Sequence, residues 1–291
     1  MANTIALAKR YVPILDEVYK KTSLTAILDS DPSMAKEGAN TNEIMIPKIS
    51  MQGLGDYSRN SGYVSGDVTL EWETVKFNFD RGRMFTVDSM DDEETVGLAF
   101  GRLSGEFIRT KVVPEVDAFR FATYAGTTGI SKVAAGATLA DGAEVIAALR
   151  AATNKMDEDE VDMENRILFI TPTLKGMIED IDTTKSKEVL ARFSAIVQVP
   201  QTRFYTAIDQ KDGSTFGEEA GGYVKAVAGK DINFMVIQKS AVIQFEKHVV
   251  PKIITPDQNQ SGDAWKFGYR NYQLCDAYEN KVSGIYLHHK A

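Results

Sequence analysis

Between residues 67 and 88 the chain alternates apolar and polar side chains strictly, and then breaks its own rule. Val68, Leu70 and Trp72 alternate with Thr69, Glu71 and Glu73; after Trp72 the parity shifts, and Val75, Phe77 and Phe79 take the other phase around Lys76 and Asn78. A period of two marks a strand with one buried face, and a slip of one residue swaps the faces. The pattern predicts a bulge or a turn of the ribbon at that point. A short strand at 43–49 and turn-forming segments such as Gly53-Leu54-Gly55 and Asn60-Ser61-Gly62 precede it. The whole reads as a long β-hairpin projecting from the body. A lone hairpin is marginal in water, so its apolar face calls for a partner, and a second subunit can supply one.

A long helix follows over 89–124. Ser89 fits an N-cap, and Asp91, Asp92, Glu93 and Glu94 place negative charge at the positive end of the helix dipole. Val96, Phe100, Leu103 and Phe107 keep a helical stripe, Pro114 should bend or interrupt it, and the phase resumes at Val116 and Phe119. Before the hairpin, residues 1–30 carry helical spacing in Val12, Leu15, Val18 and Tyr19, then in Leu24, Ile27 and Leu28, the second piece capped by Thr22 or Ser23. After a small-residue loop at 125–137, helix and strand signals alternate. Asp141 caps a helix to about Met156, residues 166–170 form a compact apolar strand, and Thr171 caps a helix with Pro172 at its first position. Segments 201–209 and 215–227 flank a turn at Lys211-Asp212-Gly213, strands follow at 232–237 and 241–245, and 264–274 and 281–288 flank a turn at Glu279-Asn280. The fold class is α+β.

A length of 291 residues suits one large domain or two modest ones. The net charge of −8 disfavours chain-wide binding to nucleic-acid phosphates, and there is no dense basic run to supply a local patch. No stretch approaches the roughly 20 apolar residues that span a bilayer. The start carries Lys9, Arg10, Asp16 and Glu17 in place of a signal-peptide core. A single cysteine, Cys275, excludes an internal disulfide and suits a reducing compartment.

Residues that suggest chemistry have plainer readings. His248, His288 and His289 match no zinc spacing, and adjacent histidines at a chain end read as exposed and unliganded. The carboxylates of 157–162 lack calcium-loop spacing and read as a solvated loop. Gly53-Leu54-Gly55 lacks the third glycine and helix of a phosphate loop, and Asn259-Gln260-Ser261 is a glycosylation triplet without a secretion signal. Cys275 lies in a β pattern and reads as buried, with no base to activate it. No catalytic residue, cofactor or metal is expected.

Four stretches, in order along the chain, resemble the major capsid proteins of tailed bacteriophages, the Hong Kong 97-type fold. They are Asp80-Arg81-Gly82-Arg83-Met84-Phe85 leading to Asp88; Pro114-Glu115-Val116-Asp117-Ala118-Phe119-Arg120-Phe121; Met156-Asp157-Glu158 with Asn165-Arg166-Ile167-Leu168-Phe169-Ile170-Thr171-Pro172; and residues 276–286, from Asp276 to Tyr286. The resemblance implies an N-terminal arm (1–40), an extended β-loop (41–88), a peripheral domain (89–125 and 245–291) whose spine is the long helix, and an axial domain (126–244). It implies a non-enzymatic subunit that assembles with itself, through pentamers and hexamers, into an icosahedral head around double-stranded DNA held without sequence-specific binding. It also implies a virion location after synthesis in the bacterial cytoplasm, no membrane, a portal, and possible decoration proteins. No long segment precedes the arm, so a separate scaffolding protein, or none, is expected. Lys48 or Lys76 lies where the family prototype forms an isopeptide bond, but no pattern identifies one and crosslinking is not expected. Trp72, Phe77 and Phe79 are expected to pack across a subunit boundary, and Arg81 and Arg83 to pair with neighbouring carboxylates. The alternatives are an encapsulin-type shell, which shares the fold but encloses cargo enzyme in place of a genome; an α/β enzyme centred on 138–245, which would need a cleft with convergent polar groups; and a tail or adhesin component, which would assemble into tubes or trimers.

Overall fold

The computed structural model describes residues 23–30, 36–37, 43–90, 98–181 and 184–291. The helical reading of residues 1–22 and the acidic helix start at 91–94 lie outside the described residues. In chain order the strands are β1 (Lys36–Glu37), β2 (Glu43–Met51), β3 (Val68–Lys76), β4 (Phe79–Asp88), β5 (Ser131–Lys132), β6 (Arg166–Ile170), β7 (Ala195–Gln198), β8 (Ile208–Gln210), β9 (Tyr223–Lys225), β10 (Ile232–Gln238), β11 (Val242–Ile254), β12 (Ala264–Ala277) and β13 (Ile285–His289). The helices are α1 (Leu98–Phe107), α2 (Val113–Gly126), α3 (Gly142–Glu158), α4 (Pro172–Ile181) and α5 (Thr184–Leu190).

The centre is a sheet of order β5-β13-β10-β6-β7. Its middle strands are apolar on both faces because both faces are covered. Ile167 and Phe169 of β6 and Met235 and Ile237 of β10 point to one side, where Phe121 and Tyr124 of α2 pack. Leu168, Ile170, Phe234 and Val236 point to the other, against Val145, Leu149 and Met156 of α3 and Leu174 and Ile178 of α4. The caps are as expected: Asp141 accepts from the Glu144 N–H at 2.8 Å, and Pro172 opens α4. Arg166, only 1% exposed, reaches from β6 to Asp157 (2.6 Å) and the Asp162 carbonyl (2.9 Å), so the acidic stretch is fastened to the sheet at both points.

A second sheet, β11-β12-β4, lays one face over the long helix: Phe79, Phe267 and Tyr269 meet Ile108, Val112, Val113 and Val116. Pro114 does not interrupt this helix. A π-helical turn, Ile108–Val112, joins α1 to α2 just ahead of it. Proline has no N–H for the i−4 carbonyl, and one widened turn absorbs that loss while the axis continues. A third sheet is the ribbon β1-β2-β3, and β8 and β9 form a short separate hairpin.

Three expectations need correction. Strands β2 and β3 pair in continuous register from Glu43↔Lys76 to Met51↔Val68, so the parity shift at Trp72 is not a bulge. The turn of the β8–β9 hairpin spans all of 211–222, because β8 and β9 pair over only three residues. The tail does not simply complete the peripheral sheet: β12 lies there, but a 3-10 turn (Glu279–Gly284) carries the chain across, and β13 inserts between β5 and β10. A strand buried on both faces has no alternation to declare its sheet, which is why the sequence suggested a hairpin.

Strand β13 is therefore interior. His288 is 3% exposed, stacks on Phe234 (ring centroids 4.9 Å apart) and meets the Asn233 amide at 3.0 Å, contrary to the reading of exposed histidines. Burial, with His289 adding to it, lowers its pKa from the ordinary 6.5 to about 4. Between those values the unfolded chain binds a proton that the folded chain refuses, so stability is complete above pH 6.5 and falls as pH drops toward 4. Thermal unfolding followed from pH 7 to 4 should show this decline, and His288→Phe, which keeps the ring stack, should flatten it.

Candidate inter-subunit surfaces

The β2–β3 ribbon has two faces with different fates. At its root Ile44 and Val75, 5% and 7% exposed, pack with Ile243 and Leu274 of the body. From Pro47 and Trp72 outward the apolar side chains change face. Opposite residues of an antiparallel pair share a face, so Pro47/Trp72, Ile49/Leu70 and Met51/Val68 form one continuous stripe. It is open to solvent: Trp72 is 48%, Leu70 55% and Met51 71% exposed. In β3 the apolar side chains change face between Val75 and Trp72; in β2 both faces are apolar over Ile44, Met45 and Ile46, and from Pro47 outward only the stripe's face is. Placing that change needed the two strands to be aligned with each other. Strands of nine residues extend the ribbon about 30 Å. Its tip adds Leu54, Val64 and the edge-to-face pair Tyr57–Tyr63, all exposed. A contiguous apolar surface of this kind marks an interaction site.

The five residues singled out by sequence divide. Trp72 stands on the open stripe. Phe77 stacks on Tyr272 at 4.7 Å with the Lys247 ammonium 5.4 Å from its ring centre, and Phe79, 3% exposed, packs on Phe119. Their ring surface is largely spent within the chain. Arg81 pairs with Glu115 of α2 (2.7 Å) and donates to the carbonyls of Lys211 (2.8 Å) and Gly222 (3.2 Å). Burial raises the Glu115 carboxyl above its usual range, and the Arg81 charge opposes the rise. Arg83 donates to the Glu219 carbonyl at 2.8 Å. The two arginines thus tie β4 to the long helix and to the 211–222 loop, beside a cleft of about 1180 Å³ that also includes Phe85, Glu106 and Tyr223.

Sequence reasoning missed the residues that hold the root of the arm. Asp117, fully buried, accepts from the Ser23 hydroxyl (3.0 Å), the Leu24 and Thr25 N–H groups (3.2 and 3.3 Å), the Thr25 hydroxyl (2.7 Å) and Arg203 (3.2 Å). Arg120, one turn on, donates to Thr25 (3.0 Å), Glu246 (3.0 Å) and Gln273 (2.6 Å). Gln244 completes the knot, accepting from the Tyr124 hydroxyl and donating to the Thr25 carbonyl. A charged pair set into an apolar helix stripe was the available clue. Cys275 is fully buried beside it, and burial pushes its thiol up to about 12, which keeps it protonated.

Three solved structures align over nearly the whole chain. A virus-like particle from Pyrococcus furiosus matches with a TM-score of 0.61 at 12% identity, over 96% of this chain and 98% of that one. The structure titled Mycobacterium phage Che8 matches at 0.59 and 11%, over 92% and 90%. The capsid of the cyanophage P-SCSP1u matches at 0.54 and 12%, over 88% and 85%. The chain has the Hong Kong 97-type capsid fold. No family model and no curated protein matches the sequence. Among the described residues no group of three or more His, Cys, Asp or Glu side chains is placed to hold a metal ion, and no helix is long and apolar enough to cross a membrane.

Within this capsid fold the Asp117 knot should control the arm root. Asp117→Ala strands Arg203 and four donors, and removing one partner of a buried charged cluster costs about 3 kcal/mol or more. Chemical denaturation should show that loss, and limited proteolysis should open the segment 23–30, with Asp117→Asn milder in both.

Proposed function

We propose that this chain is a major capsid protein of a tailed bacteriophage, a shell subunit that assembles with its own copies through pentamers and hexamers around double-stranded DNA. The observation that carries the proposal is the open apolar stripe on the ribbon, set on a capsid fold whose own core is closed without it. Each stripe side chain buried against a neighbour would contribute about 1.5–3 kcal/mol before ordering costs reduce it. Single contacts of that size stay reversible, and closure into rings and a shell multiplies them. The net charge of −8 suits a container whose wall must not hold its DNA. The arm (1–40), β-loop (41–88), peripheral (89–125 and 245–291) and axial (126–244) divisions belong to the same proposal, except that β13 joins the sheet of the axial part. So do the virion location and the further partners: a portal, a separate scaffolding protein and decoration proteins. Of the five boundary residues, Trp72 is the one we assign to the contact between copies; Phe77, Phe79, Arg81 and Arg83 would support it from behind.

An encapsulin-type compartment is the second reading, favoured by the match to a virus-like particle over 98% of its chain. Electron microscopy of the purified, overexpressed protein should show round shells or capsomers, and a stable monomer would overturn both readings. Extracted nucleic acid of uniform length from mature particles would select the phage head. The double variant Leu70→Ser/Trp72→Ser should lower shell yield about tenfold or more, the equivalent of roughly 1.4 kcal/mol per subunit. Its subunit unfolding free energy should stay within about 0.5 kcal/mol of the parent, because these side chains are already exposed.

A further inference from the structure

The ribbon leaves the body through a narrow root, and one charged tie spans the gap beyond it. Lys48 of β2 places its Nζ 2.5 Å from Glu279 Oε2, linking residues 231 positions apart. Glu279 opens the 3-10 turn that carries the chain from β12 into the central sheet. That turn is a firm mooring. A Cβ on its Gly284 would come within 2.6 Å of the Ala241 Cβ, and Lys281 donates to the Ser240 carbonyl at 3.2 Å.

The charges around the tie are unbalanced. Glu279, Glu73 and Glu71 all act on Lys48, and Asp276 of β12 and Glu279 both act on Glu73. Lys281, the nearest other cation on the turn, is directed to Ser240 and to the Tyr278 ring, 5.4 Å from its centre. Lys48 therefore bridges ribbon and body where carboxylates of both lie around it, while nearer the root apolar packing and the Lys247 ammonium over the Phe77 ring join the two. Burial, followed by the charge of Glu279, raises the Glu73 carboxyl above its ordinary range, and burial raises Asp276 as well. In both, burial is the larger cause and the charge of Glu279 adds to it.

We infer that Lys48 and Glu279 form a latch that fixes the angle of the ribbon to the body against the mutual repulsion of Glu73, Asp276 and Glu279. The latch acts within one chain and does not depend on the capsid reading. The lever is long: a ribbon of about 30 Å turns a small rotation at the root into a displacement of several ångströms at the tip. Below the range where Glu73 and Asp276 ionise, the repulsion is gone; above it, Lys48 offsets the repulsion beside the apolar contacts of the root.

The test measures ribbon angle directly. Spin labels at Ser61→Cys on the tip and Glu188→Cys on α5 report tip-to-body distance, with labelled chain diluted into unlabelled chain so that only pairs within one molecule count. Cys275 is buried and stays unlabelled. At pH 7.5 the parent should give one narrow distance peak. Lys48→Gln should shift and broaden it, Glu279→Gln should broaden it from the other side, and Lys48→Gln/Glu73→Gln should restore a narrow peak by removing the repulsion. Unchanged distances in both single variants, with thermal unfolding showing them folded, would overturn the latch, as would failure of Glu73→Gln to rescue Lys48→Gln.

Discussion

Arg120 carries a full charge at a position 1% exposed, and much of the architecture follows from keeping that charge paired. An unpaired buried guanidinium would cost several kcal/mol, so its partners must be in place when the chain is folded. They come from far apart: Thr25 and Asp29 from the arm root, Glu246 from β11 and Gln273 from β12. Asp117, on the same helix, gathers Ser23, Leu24 and Arg203. The two residues make one helix the meeting point of the N-terminal segment, the peripheral sheet and the turn after β7. Apolar packing alone would bring these elements together without fixing their register; a buried ionic knot with directional donors fixes it.

A body fixed in this way has little freedom to fold the ribbon back over itself. The peripheral sheet already spends its inner face on the long helix, and the central sheet is covered on both sides. Only Ile44, Val75 and their neighbours find a place in the body, at a small cluster around Ile243 and Leu274. Everything beyond that cluster projects, with its apolar residues moved to the opposite face. The reversal of parity at Trp72 in β3 thus marks the boundary between apolar surface used inside the chain and apolar surface left open on the ribbon.

Local signals carried much of the fold. The Asp141 cap, Pro172 at a helix start and the five-residue run of β6 depend on neighbours a few positions away, and each was legible at the right residue. What was not legible depends on distant partners. The parity shift reads as a bulge until β2 is set against β3, and β13 reads as half a hairpin until β5 and β10 are seen to flank it. Asp117 and Arg120 look like interruptions of a helical stripe unless residues some 92 to 153 positions away are known to meet them. Of the five residues expected at a subunit boundary, Trp72 is half exposed on the ribbon. Phe79 was not distinguished from it, since alternation gives the face of a residue but not what covers that face.

Low identity with a shared fold has a physical explanation in this weave. At 11–12% identity few side chains can be common to these chains, yet the alignments run over roughly nine-tenths of each. Here β4 pairs with β12, and β13 slots between β5 and β10, so strands far apart in the chain are locked into shared sheets. Such a topology constrains where apolar and paired polar residues stand and leaves their identities open, because many packings fill a sheet covered on both faces. The parts that reach outward are under a different constraint. A ribbon anchored at a small apolar root can change its tip and its stripe without disturbing the body. Surface chemistry is therefore free to diverge while the interior keeps its geometry.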